Sequence, residues 1–140
     1  MKILYVINQI SNWSGDSRLL WLTVQFMKKS GHQVAIATTD GNPFRDLESS
    51  EKYSKTVEKL SNFNGNSVLI NDVPVFPVHS VSSHFGMYSF NAGIMAKKII
   101  KDFDIIHIYS WYHHVGIEFF KAAKKYKIPL VFTAMGTLQN

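Results

Sequence analysis

Ile3-Leu4-Tyr5-Val6-Ile7 is an unbroken apolar run near the amino end of the chain, the pattern of a β-strand covered on both faces rather than one. The next thirty residues decide the architecture. Asn8 through Gly15 is polar and turn-forming, after which Leu19, Leu22 and Phe26, and with them Leu20, Val24 and Met27, recur at helical spacing. Asp16 or Ser17 is placed to cap this helix, and Gly31 to end it in a left-handed C-cap. Val34 to Thr39 then reads as a second strand, reached after only two residues. Strand, helix and strand in so short a span imply parallel pairing through a crossover.

The alternation continues outward from this unit. From Gly41 to Ser67 the composition turns polar, and Leu47, Tyr53, Val57 and Leu60 fit one irregular helix in a mobile excursion. Val68-Leu69-Ile70 and Val75-Phe76-Pro77-Val78 bracket Asn71-Asp72-Val73-Pro74 as a short hairpin, or as a strand with a turn before it. Residues 87–101 predict a helix packing through Phe90, Ile94, Ala96, Ile99 and Ile100. Asp104 to Tyr109 is the fourth strand. A helix over 112–126 faces inward through Val115, Phe119, Ala122, Ala123 and Tyr126, and Lys127-Ile128-Pro129 turns into a fifth strand, Leu130 to Ala134. The expected fold is α/β: a doubly wound, mainly parallel Rossmann-like sheet of about five strands in the order 3-2-1-4-5, with helices on both faces.

Bulk properties bound the rest. The 140 residues suit one domain, and 46% hydrophobic with 18% charged residues excludes a disordered chain. The formal charge of +5 suggests an anionic partner, although Lys28-Lys29, Lys97-Lys98 and Lys124-Lys125 each fall late in a predicted helix, where a cation complements the helix dipole. Without cysteine there is no disulfide or thiolate site, as expected of a cytoplasmic protein. No segment approaches the roughly 18 apolar residues of a membrane span.

In such a sheet ligands gather beyond the carboxyl ends of the strands, which makes the loops after the strands informative. The first loop holds a single glycine, so neither the dinucleotide fingerprint nor a P-loop is present. What it offers is Ser14-Gly15 directly before a helix N-terminus, suited to an anion or a hydroxyl-rich ligand. A plain strand-to-helix turn is the alternative. Of six histidines, His32 and His107 fall in a turn and a strand, where structural roles suffice. His113 and His114 come after the fourth strand beside Trp111 and Tyr112, where an imidazole can orient or deprotonate a hydroxyl; adjacent residues diverge on a helix, so at most one of them faces inward. No spacing supports a metal site, a catalytic triad or paired carboxylates, and Asn8-Gln9 argues against a phosphoryl-accepting receiver domain.

Three stretches together resemble a known family. Lys2 to Val6 with Ser14-Gly15 and Gly31-His32-Gln33-Val34, then Phe103-Asp104-Ile105-Ile106-His107-Ile108, then Lys127-Ile128-Pro129-Leu130-Val131-Phe132-Thr133-Ala134-Met135-Gly136 are similar to the N-terminal domain of GT-B glycosyltransferases, family 4 in particular. The resemblance implies transfer of a sugar from a nucleotide-sugar co-substrate to an acceptor hydroxyl, with no metal or other cofactor. It makes this lobe the acceptor side and assigns the donor site to a C-terminal domain, in cis or in trans, outside these residues. The chain alone is then expected to be inactive. His113 is the candidate catalytic residue, and Ser14, Gly15, Asp16, Trp111 and Gly136 the candidate substrate contacts. Some relatives place an active-site histidine immediately after a tryptophan in the loop following the fourth strand; here Tyr112 separates Trp111 from His113. Met135 stands where relatives commonly carry histidine, and a thioether is a poor substitute. The partners implied are an acceptor glycan or lipid-linked sugar, with peripheral contact at the inner face of a membrane and no nucleic acid. The alternative is a non-catalytic acceptor-binding or membrane-docking subunit of a split enzyme.

Overall fold

The computed structural model describes residues 1–10, 14–39, 67–83, 86–110 and 113–134. Eight strands and three α-helices are described: β1 (Lys2–Val6), α1 (Gly15–Lys29), β2 (Gln33–Thr39), β3 (Val68–Ile70), β4 (Val73–Val78), β5 (Val81–Ser83), β6 (Gly86–Tyr88), α2 (Ala92–Ile99) with a 3-10 turn at Ile100–Asp102, β7 (Ile105–Tyr109), α3 (His114–Tyr126) and β8 (Leu130–Thr133). Six strands form one sheet in the order β3-β4-β2-β1-β7-β8. Pairing is parallel from β4 to β8, with Leu4 opposite Ala35 on one side and Ile106 on the other. The five parallel strands follow the expected order. β3 adds an antiparallel edge to β4, and β5 pairs with β6 in a separate hairpin that the sequence pattern did not disclose.

β1 alternates its side chains between two cores. Leu4 and Val6 join Ala35, Ala37, Ile106, Ile108 and the inner faces of α2 and α3. Ile3, Tyr5 and Ile7 join Ile36, Val73, Val75 and the α1 residues Leu20 and Val24. Both faces are thus covered by helices, and for that reason the central strands read as continuous apolar runs.

Local chemistry sets the element ends. Ser14, in extended conformation, caps α1 and accepts from Ser17 N at 3.2 Å; the cap therefore falls ahead of the expected Asp16 or Ser17. Gly31, at φ +82°, ends the turn after α1 as expected. Asn71 and Asp72, at φ 49° and 58°, form the tight β3-β4 turn, a geometry these two residue types tolerate best after glycine. The Lys28 ammonium donates to Asp72 O at 3.1 Å and fastens α1 to this hairpin.

Two packing expectations are corrected. α2 begins at Ala92 rather than near Met87, and it meets the sheet through Ala92, Ala96, Ile99 and the adjoining Ile100, while Phe90 and Ile94 point to solvent. On this face α2 packs against the sheet and α3, and a Cβ on Gly93 would stand 2.8 Å from Glu118 Oε2, the end of a flexible side chain. Of the two apolar stripes on α1, Leu20 and Val24 are buried whereas Leu19, Leu22 and Phe26 are exposed. The irregular helix expected around Leu47, Tyr53, Val57 and Leu60 lies outside the described residues.

Candidate active site

After β1 the chain turns toward β2, and after β7 it turns the opposite way toward β8, so the crevice at the carboxyl ends of β1 and β7 is the topological switch point of the sheet. Ligands in open α/β sheets collect at this place.

The β1 side is built from hydroxyls and backbone. Asn8 O accepts Thr39 N at 3.1 Å, continuing the ladder beyond Val6. Ser14 Oγ donates to Ser17 Oγ at 2.8 Å, and Ser17 Oγ donates to Gln9 O at 3.4 Å, so a relay of hydroxyls ties the loop to the first turn of α1. Asp16 sits in that turn, where the helix dipole favours its carboxylate. A Cβ at Gly15 would meet nothing within 4 Å, so no atom of the described structure demands glycine there.

The β7 side starts at Ser110, a residue that its sequence context does not single out. It is buried, adopts φ +58°, and donates from its backbone N to Thr133 O at 3.1 Å. Its Oγ reaches Asp16 Oδ2 at 3.4 Å and so spans the crevice. A non-glycine residue in the left-handed region costs on the order of 1 kcal/mol, and such strain concentrates at functional positions.

His113 is the N-cap residue of α3, with extended backbone and a carbonyl that accepts Ile117 N at 3.0 Å. Its side chain does not cap the helix. Burial lowers the imidazole pKa, and the negative charge of Asp16 opposes that shift. His114 turns the other way: its Nδ1 accepts Ser89 N at 3.4 Å and its ring lies 5.2 Å from that of Tyr88. The pair diverges, and His113 is the member associated with Asp16. Of the expected site residues, Ser14, Gly15 and Asp16 stand at the start of α1 after β1, and His113 at the start of α3 after β7, where the Asp16 charge reaches it; Trp111 and Gly136 lie outside the described residues, as does Met135.

His107 has a structural role. Its Nε2 is 2.7 Å from Thr133 Oγ1 and its ring stacks on Tyr109 at 4.6 Å. Burial lowers its pKa below the ordinary 6.5, as it does for His113. Unfolded imidazoles take up protons near pH 6.5 while these two resist until lower pH, so the unfolded state binds more protons in that window and stability rises with pH across it. The urea midpoint of the chain is expected to fall as pH is lowered from about 7.5 to about 5.5. A midpoint that stays constant or rises on acidification contradicts the burial of the two rings.

Two further acceptors sit at the same edge of the sheet. Gln9 Oε1, in the loop after β1, and Thr38 Oγ1, near the end of β2, are buried and have no hydrogen-bond partner among the described residues. Groups of this kind cost about 1–3 kcal/mol each when left unsatisfied. Among the described residues no group of three or more His, Cys, Asp or Glu side chains is placed to hold a metal ion, and no helix is long and apolar enough to cross a membrane.

A family model, Glycosyltransferase Family 4, matches residues 13–139. The chain belongs to glycosyltransferase family 4. No curated protein matches it in a sequence search. The match takes in α1, the whole β7-α3-β8 half of the sheet, and Ser14, Gly15, Asp16, Trp111, His113 and Gly136.

Proposed function

We propose that this family 4 domain holds the acceptor side of a sugar-transfer reaction, with the nucleotide-sugar bound by a second domain supplied in cis or in trans. The observation that carries the reading is the convergence of Asp16 and His113 from opposite sides of the β1/β7 switch point. Burial keeps the His113 imidazole in its neutral form near pH 7, the form that can accept a proton from an acceptor hydroxyl. As the hydroxyl oxygen bonds to the donor sugar carbon and the nucleotide departs, His113 becomes a cation. The Asp16 carboxylate, held by Ser110 Oγ, stabilises that charge and orients the ring. The N-termini of α1 and α3 face the same crevice and favour negatively charged or hydroxyl-rich groups there. Ser14 and Gly15 line its β1 side, and no metal or other cofactor enters this scheme.

Incubating the purified 140 residues with a panel of nucleotide-sugars and candidate acceptors is expected to give no transfer, while joining or adding the donor-binding domain restores it. Turnover by the 140 residues alone would refute the division of labour. Met135, where relatives commonly have histidine, favours one second reading, a non-catalytic acceptor-binding subunit. Absence of turnover even with the donor domain present would select it.

A further inference from the structure

The segment that carries His113 runs from the end of β7 to the start of α3, and the fold grips it at both ends. At one end Ser110 is tied to Thr133 O through its backbone N and to Asp16 through its Oγ. At the other end His114, the first residue of α3 and the covalent neighbour of His113, reaches back to the junction between β6 and α2. Its Nδ1 accepts the Ser89 backbone N at 3.4 Å, and its ring lies 5.2 Å from that of Tyr88, the last residue of β6.

Ser89 is 1% exposed, so its N–H needs an acceptor inside the protein, and the His114 imidazole supplies one. Accepting at Nδ1 puts the proton of the neutral ring on Nε2. Ser89 also opens α2, because its carbonyl accepts the N–H of Ala92, the first residue of that helix, at 3.1 Å. The His114 side chain therefore ties the start of α3 to the start of α2. One turn further along α3, Glu118 lies against Gly93 in the first turn of α2, so the two helix starts meet at successive turns. His113 is the N-cap residue with extended backbone, and its Cα goes where the helix start that His114 fixes puts it. The adjacent histidines thus take different work: one faces the crevice, and the other must keep a nitrogen free to accept.

We propose that His114 is a positioning residue for His113: the hydrogen bond from Ser89 N to His114 Nδ1 fixes the start of α3 against the β6-α2 junction and thereby holds the neighbouring imidazole in its half-buried place. Packing of the His114 ring on Tyr88 could be supplied equally by phenylalanine. The hydrogen bond could not.

The test reads the NMR titration of the His113 imidazole in the 140-residue chain, which requires no turnover. His114→Phe keeps a ring beside Tyr88 but offers Ser89 N no acceptor, whereas His114→Asn keeps an acceptor oxygen near the place of Nδ1. In His114→Phe the His113 pKa is expected to rise toward the ordinary 6.5, as the ring loses the burial that lowers it, and the Ser89 amide to exchange faster with solvent. His114→Asn is expected to titrate like the parent. In the parent, the ring nitrogen shifts of His114 should place the proton on Nε2. In the complete enzyme His114→Phe is expected to lower kcat by up to about a hundredfold, as a small misplacement of a reacting group can, with little change in KM for the acceptor and with most of the rate restored in His114→Asn. A His114 proton on Nδ1 in the parent at neutral pH, a phenylalanine variant that titrates like the parent, or an asparagine variant shifted as far as the phenylalanine one would each overturn the proposal. Only the kinetic arm rests on the proposed chemistry, so a titration that moves while kcat does not would count against His113 as the base rather than against its positioning.

Discussion

Replacing His113 by alanine in the complete enzyme is expected to lower kcat by about a hundredfold to ten-thousandfold, the range over which a positioned general base contributes. KM for the acceptor should change far less, because proton transfer is felt mainly in the transition state. The fold should persist, since the His113 side chain does not cap α3. Asp16→Asn provides the control on the assignment. It keeps the shape of the side chain but removes the charge that raises the His113 pKa, so the acidic limb of the kcat profile should move to lower pH, with a smaller loss of rate than in His113→Ala. Steady-state kinetics across pH at saturating nucleotide-sugar measures both effects. A His113→Ala enzyme with undiminished kcat would remove His113 from the chemistry.

The largest expected effect on stability belongs to Phe119→Ala. Phe119 is fully buried on α3, within the core that includes Leu4, Val6, Ile106, Ile108 and Val115. Removing its ring leaves a cavity between the sheet and two helices that are already in close contact, and such changes cost about 3–5 kcal/mol. Against a total of roughly 5–15 kcal/mol for a domain of this kind, the variant should unfold at a much lower urea concentration with an unchanged m-value. A loss below about 1 kcal/mol would mean that this side chain is not a core element.

The sequence disclosed those elements whose burial is two-sided. Ile3 to Ile7, Val34 to Thr39 and Asp104 to Tyr109 are apolar almost throughout because helices cover both faces of β1, β2 and β7, and the parallel order came from the crossovers between them. It misled where small residues do the packing. Phe90 and Ile94 have the right spacing for a buried face, yet Ala92 and Ala96 occupy it, on the side of α2 that packs against the sheet and α3. The hairpin at 81–88 escaped notice because its three-residue strands are too short for a periodic signal.

The site divides in the same way. Ser14, Gly15, Asp16 and His113 could be named from their places after strands. The cross-crevice contact could not, because it is made by Ser110, whose left-handed backbone and hydroxyl reach Asp16 from the opposite loop. Serine is common in loops, and nothing in its neighbours marks this one.

A crystal structure of the complete enzyme with its acceptor bound would decide whether the crevice at the ends of β1 and β7 is the acceptor site. The reacting hydroxyl is expected within hydrogen-bond distance of the His113 imidazole, with the acceptor passing over Ser14, Gly15 and Asp16. An acceptor bound elsewhere, or the nucleotide of the donor occupying the space between Asp16 and His113, would contradict that assignment.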